Sequence, residues 1–226
     1  MPRETFEREL SKLQDEILEL GSMVEQAILE SIQALQKRDL AKSQEIFAND
    51  RSINQKRFQI ENNCLVLIAT QQPMARDLRV VAAVLEINTE LERIGDYAKG
   101  ICRINVLLGD GPLVIPLNDL VEMTEKGLSM LSRALDAFVA RDAVAARLIA
   151  AEDDQVDFLY NHVIHELMAE MIANPQIIDH ANYLVWAAHN LERLADRVTN
   201  ICERIIFVVT GEMRELDTTD NEKLTR

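Results

Sequence analysis

From Glu4 to Lys37 the apolar residues Phe6, Leu10, Leu13, Ile17, Leu20, Val24 and Ala27 step by three and four. That spacing lays them along one narrow face of a helix and predicts a long amphipathic helix over about 4–37. Asp39 can cap the next helix, which carries Ile46, Ile53, Ile60, Cys64 and Leu67 until Gln71-Gln72-Pro73 stops it. Proline removes a backbone donor and disfavours helix in the residue before it. A third helix is predicted from near Asp77 to Leu108. The segment 109–116, Gly-Asp-Gly-Pro-Leu-Val-Ile-Pro, then holds four of the chain's 7 Gly and 5 Pro and reads as a domain boundary. Beyond it the pattern starts again. Leu117, Val121, Thr124, Leu128, Leu131, Leu135 and Phe138 repeat the spacing, Asp142 caps a fifth helix to about Ala173, Asn174-Pro175 breaks the chain, and a sixth helix runs from about Asp179 to Thr210.

The halves superpose in sequence. Arg38-Asp39 falls on Arg141-Asp142 and Asp50 on Asp153 at an offset of 103, Pro73 on Pro175 at 102, and Glu92 on Glu192 at 100. Between Leu91–Arg103 and Leu191–Glu203, six of thirteen positions are identical. Composition alone does not give that, so the chain reads as a tandem duplication of a three-helix unit. Short connections force antiparallel neighbours. The expected architecture is all-α, two tandem antiparallel three-helix bundles: 1–108, a linker at 109–116, 117–210, and a flexible acidic tail at 211–226.

Composition narrows the function. With 226 residues, 24 Lys+Arg and 38 Asp+Glu, the chain carries a net charge of −14, which repels phosphodiester backbones and anionic headgroups and argues against nucleic acid as a partner and against direct membrane insertion. No apolar run approaches the roughly 18 residues of a membrane span, and the N-terminus lacks a signal-peptide core. Cys64, Cys102 and Cys202 are widely spaced and odd in number, as expected of reduced thiols packed as small apolar groups in a cytoplasmic protein.

Acidic or amide residues recur four apart, Asp50/Asn54 and Glu92/Asp96 in the first half, Asp153/Asp157 and Glu192/Asp196 in the second. A spacing of four puts both on one helix face, where like charges cost a few tenths of a kcal/mol. Counted from the intervening break at 1.5 Å per residue, the two pairs come level to within about 3 Å in the first unit and about 4.5 Å in the second. Asp50 also lies in the apolar row of Ile46, Ile53 and Ile60, and Asp153 in that of Ile149, Val156 and Val163. Carboxylates in such a seam need a counter-charge. One candidate is arginine, from Arg57, Arg93 or Arg193. The other is a cation in an oxygen-rich cluster, suited to Mg, Mn, Ca or Fe better than a thiolate-type Zn site.

The chain resembles the PhoU family over about residues 4–212. The resemblance rests on Gln-Pro-Met-Ala-Arg-Asp-Leu-Arg at 72–79, Leu-Glu-Arg-Ile-Gly-Asp at 91–96 and Asn-Leu-Glu-Arg-Leu-Ala-Asp at 190–196. It implies two three-helix bundles, a homodimer, and acidic motifs that hold a multinuclear metal cluster, iron first, with Mn, Mg, Zn or Ca as further candidates. By position the ligands would be Asp50, Glu92 and Asp96, with Asn54 beside them, and Asp153, Asp157, Glu192 and Asp196. Asn54 stands where the second half has Asp157, which makes the first site the weaker. Tyr97 and Arg197 stand where many relatives have His, and an arginine beside the second site could replace part of a cation's charge. The implied function is regulatory: a non-enzymatic adaptor between the transporter's ATPase subunit and the sensor histidine kinase, a negative regulator of the phosphate-starvation response and a modulator of phosphate ABC transport.

Two other readings compete. A carboxylate-bridged di-metal enzyme in a helical bundle needs Glu-x-x-His on two helices, and the sequence offers only the reversed His189-x-x-Glu192 and the pair His162 and His165. A metal-free helical scaffold is the other. Met168 and Met171 could form an adaptable partner surface, but read first as fillers of core gaps. Trp186 reads as a core anchor.

Overall fold

The computed structural model describes residues 2–109 and 113–216, and every regular element among them is helical. The first half comprises α1 (Pro2–Lys37), α2 (Leu40–Gln71) and α3 (Arg76–Leu108). The second comprises α4 (Asn118–Ala140), α5 (Ala143–Ala150), α6 (Asp153–Ala173), a 3₁₀ turn (Pro175–Ile177) and α7 (Ile178–Thr210). Of the expected linker, residues 110–112 lie outside the described residues, as does 217–226 of the expected tail. No described helix is long and apolar enough to cross a membrane.

The duplicated Arg-Asp dipeptide builds the same turn twice. Arg38 and Arg141 both adopt φ 56°, the left-handed region. The amides of Asp39 and Asp142 then reach back to the carbonyls of Ala34 and Ala137, each at 2.9 Å, which is the six-to-one bond of a Schellman motif. Each Asp next caps the following helix. Asp39 accepts from the Lys42 amide at 2.8 Å, and Asp142 from those of Val144 and Ala145 at 2.9 Å. An N-cap of this kind is worth about 1 kcal/mol, offsetting an arginine held where glycine is preferred.

The expected fifth helix is in fact two. At Ala151 and Glu152 the backbone keeps right-handed dihedrals, φ −69°, ψ −10° and φ −79°, ψ −12°, but the Glu152 amide bonds the Ile149 carbonyl at 3.0 Å, three residues back. Arg133 of α4 grips the Glu152 carboxylate with both guanidinium nitrogens, and Asp153 and Asp154 favour a fresh N-terminus by their charge. Periodicity carries over this slip, so the sequence pattern does not register it.

The stripe of α1 from Phe6 to Val24 is buried as expected, and a continuous core joins the two halves because α3 packs on α7 and α1 on α4. Each fully buried Leu or Ile contributes about 2 kcal/mol by removal from water. All three cysteines are buried, and burial pushes their thiols up to about 12, so they are inert packing groups. Two apolar residues depart from expectation. Trp186 is 55% exposed, edge-on to Tyr183 at 5.8 Å between ring centres. It falls outside the buried row of Leu184, Ala188, Leu191 and Ala195. Met168 is also exposed, while Met171 packs against the core.

Candidate functional site

The acidic pairs lie at matching heights on the packed helices α2 and α3, and on α6 and α7. In the first half Asn88 donates to the Arg57 carbonyl at 3.0 Å. Counting down α2 and up α3 from that contact puts Asn54 opposite Leu91 and Asp50 opposite Gly95, so Glu92 and Asp96 are each about 1.5 Å from level. Gly95 permits the close approach, since a Cβ there would lie 3.3 Å from Ile53 Cγ2. In the second half Tyr160 and His189 bring their ring centres to 6.1 Å. The same count puts Asp157 opposite Glu192 and Asp153 opposite Asp196.

The counter-charge of the first cluster is a lysine, which sequence reading missed. Lys99 donates to Asp50 Oδ2 at 2.9 Å and lies 3.7 Å from Asp96 Oδ1. Asn54 donates to the same Asp50 oxygen at 3.0 Å. The hydrogen bond to Asp50 is the main reason that the Lys99 ammonium is held more firmly protonated than usual. Glu92 moves the other way. Partial burial raises its carboxyl above the ordinary range, the charge of Asp96 adds to this, and Asp50 contributes less. A carboxyl raised in the fold weakens stability once ionised and regains it as pH falls, so a neutralising cation beside Glu92 is favourable.

Arginine plays a smaller part here than expected. Arg57 pairs with Glu61 at 3.6 Å and lies 4.9 Å from the centre of the Phe58 ring, and together with Arg93 it acts on Glu92 only through its charge. Arg193 lies over Tyr97 at 5.5 Å. Arg197, expected beside the second cluster, instead crosses to the other half, where its Nη1 is 3.3 Å from Glu90 Oε2. Asn200 donates to the same oxygen at 3.4 Å. At the offset of 100 that matches α3 with α7, Arg197 falls on Tyr97 and Glu90 on Asn190. The halves therefore meet through substituted copies of the same positions.

The second cluster differs in its donors. All four members are acidic, Thr199 stands where the first half has Lys99, and α6 contains neither lysine nor arginine. Asp153 Oδ1 and Glu192 Oε2 are withdrawn from water, and His189 Nδ1 lies 3.2 Å from Glu192 Oε2. Tyr160 is raised by partial burial and then by the charge of Glu192. Four carboxylates offer hard oxygen donors of the kind that suit Mg, Ca, Mn or Fe. A cation entering the first cluster would have to displace the Lys99 ammonium from Asp50. A third group was not foreseen. His162 pairs with Asp119 at 2.5 Å rather than with His165, and Glu166 lies one turn on. The hydrogen bond to Asp119 raises the imidazole's pKa, with a smaller contribution from Glu166.

The PhoU domain matches twice, over residues 17–104 and 120–205. The chain belongs to the PhoU family. Each matched PhoU domain encloses one acidic cluster. The phosphate-specific transport system accessory protein PhoU homolog of Clostridium acetobutylicum is 36% identical over 219 residues, 96% of this chain and 100% of that protein. The homolog of Rhizobium meliloti is 33% identical over 207 residues, 91% of this chain and 87% of that one. Two crystal structures share the fold at a TM-score of 0.86. The phosphate transport system regulatory protein PhoU from Streptococcus pneumoniae is 32% identical and aligns over 92% of this chain and 99% of its own. PhoU from Pseudomonas aeruginosa is 31% identical over 92% and 100%.

Proposed function

We propose that this PhoU-family chain is a cytoplasmic accessory protein of phosphate-specific transport that works by contact rather than by catalysis. Its relatives carry the names of accessory and regulatory proteins of that system. The observation that supports the reading most is the repetition of one acidic cluster in each of two PhoU domains that share a continuous core. The partners are the transporter's ATPase subunit and the sensor histidine kinase, and the working form is a homodimer. Under sufficient phosphate the chain holds the kinase in the state that keeps starvation genes off. Such a regulator needs only a differential contact energy between two partner states, on the order of 1–3 kcal/mol. Asp153, Asp157, Glu192 and Asp196 would hold the main cation, iron first among the candidates, with Asp50, Asn54, Glu92 and Asp96 as the weaker site. When bound, the cation neutralises the clustered carboxylates and fixes the register of α6 on α7.

Pulldown of the tagged chain from cells grown in high and low phosphate tests this. The kinase and the ATPase subunit should both be recovered, in ratios that change with phosphate. Recovery of neither, in either medium, would count against the adaptor.

A further inference from the structure

The acid excess is not shared equally. Residues 1–108 carry 14 Lys+Arg against 17 Asp+Glu, and residues 109–226 carry 10 against 21. From Leu148 to Glu192 there is no lysine or arginine at all, and eight carboxylates. This stretch includes α6, whose buried residues Val156, Val163 and Leu167 face the core. Opposite them, Phe158, Asn161, His165, Met168 and Ile172 follow a spacing of three and four and are all exposed. Phe158 is 71% exposed, Met168 51% and Ile172 83%. The stripe runs about 21 Å along the outer side of the helix.

Large apolar groups left in water at coiled-coil spacing fit the seam of another helix. The first half shows the contrast. On α2, Phe47 and Phe58 are also exposed, but the Lys99 ammonium and the Arg57 guanidinium lie 5.3 and 4.9 Å from their ring centres. On α6 the flanking charges are carboxylates, among them Asp154, Glu166 and Glu170. A second copy docked through the same face would bring like charges together.

We infer that the outer face of α6 is a docking site for a basic amphipathic helix of a partner protein, whose apolar residues interleave with Phe158, Met168 and Ile172 and whose lysines or arginines meet the flanking carboxylates. Met168 gives the seam an adaptable, polarizable centre, and the mode is that of a helix laid against an apolar strip. The inference rests on the reading of the chain as an adaptor and names the face and chemistry of one contact.

The test uses the full chain and a fluorescein-labelled peptide of about 21 residues, with leucines at coiled-coil spacing and lysines between them, by fluorescence anisotropy at about 0.15 M salt. Wild-type protein should bind at micromolar concentration. Phe158→Glu and Ile172→Glu should each weaken binding about tenfold, although both add negative charge, whereas Leu65→Glu on α2 should change it less than about twofold. These positions are exposed, so the fold tolerates the changes. Absence of binding, or α6 variants that bind as well as wild type, would overturn the proposal by leaving charge alone as the attraction. So would sedimentation showing that Ile172→Glu splits a dimer, because a second copy would then cover the face. A chain that fails with the peptide yet recovers its partners in the pulldown keeps the adaptor reading and loses only this face.

Discussion

Replacing Arg197 by methionine lowers the stability of the fold by about 3–5 kcal/mol, the usual cost of stranding one member of a buried ion pair. Only 16% of the Arg197 side chain and 11% of that of Glu90 reach solvent. Without the guanidinium, Glu90 keeps the longer bond from Asn200 at 3.4 Å. It also lines a cavity of about 440 Å³ with Glu86, Glu203 and Glu215, against the single arginine Arg204. For a chain of this size the loss should appear as a fall in Tm of roughly 6–20 °C. Thermal and urea melts read it directly. The double variant Glu90→Gln with Arg197→Met should recover most of the loss, since it removes the stranded charge together with its partner. A fall of less than about 1 kcal/mol in the single variant would mean that the pair is effectively solvated.

Glu192→Gln combined with Asp196→Asn should abolish cation uptake at the second cluster and relieve repression of phosphate-starvation genes, with the fold intact. The two substitutions relieve repulsion between like charges on one face and weaken the His189–Glu192 pair, so a melt of the metal-free variant is the control that the fold is intact. The wild-type melt should fall on addition of EDTA, by about 2.7 kcal/mol if the ion had been present at a hundred times its Kd, and that of the variant should not move. Glu92→Gln with Asp96→Asn should have the smaller effect, because Lys99 already supplies positive charge to Asp50 and Asp96. Elemental analysis of protein purified without chelator separates the two sites.

Where the determinants are local or periodic, the sequence anticipates the structure well. The Asp caps, the proline stops and the buried face of α1 follow from spacing and backbone chemistry within a few residues, and the internal repeat doubles each signal. The levels of the acidic pairs follow from simple counting because antiparallel helices joined by a short turn keep register. Long-range partners are another matter. Lys99 reaches Asp50 across 49 residues, and Arg197 reaches Glu90 across 107. A charged side chain at a helix boundary has several neighbours within reach, and periodicity alone does not choose between them. The divergence of Tyr97 from Arg197 was visible in the repeat, but its meaning lies in where α3 meets α7. Trp186 and Met168 show the same limit, since hydrophobicity alone does not say which side of a helix is covered.

In the proposed function the chain holds the phosphate-starvation response off through its acidic clusters. Transcripts of starvation genes, measured in high phosphate after deletion of the gene, test it most directly. They should rise, fall again when the wild-type gene is restored, and stay high with the Glu192→Gln, Asp196→Asn variant. Silence after deletion would contradict the regulatory role, and full repression by a folded variant would contradict the part given to the clusters.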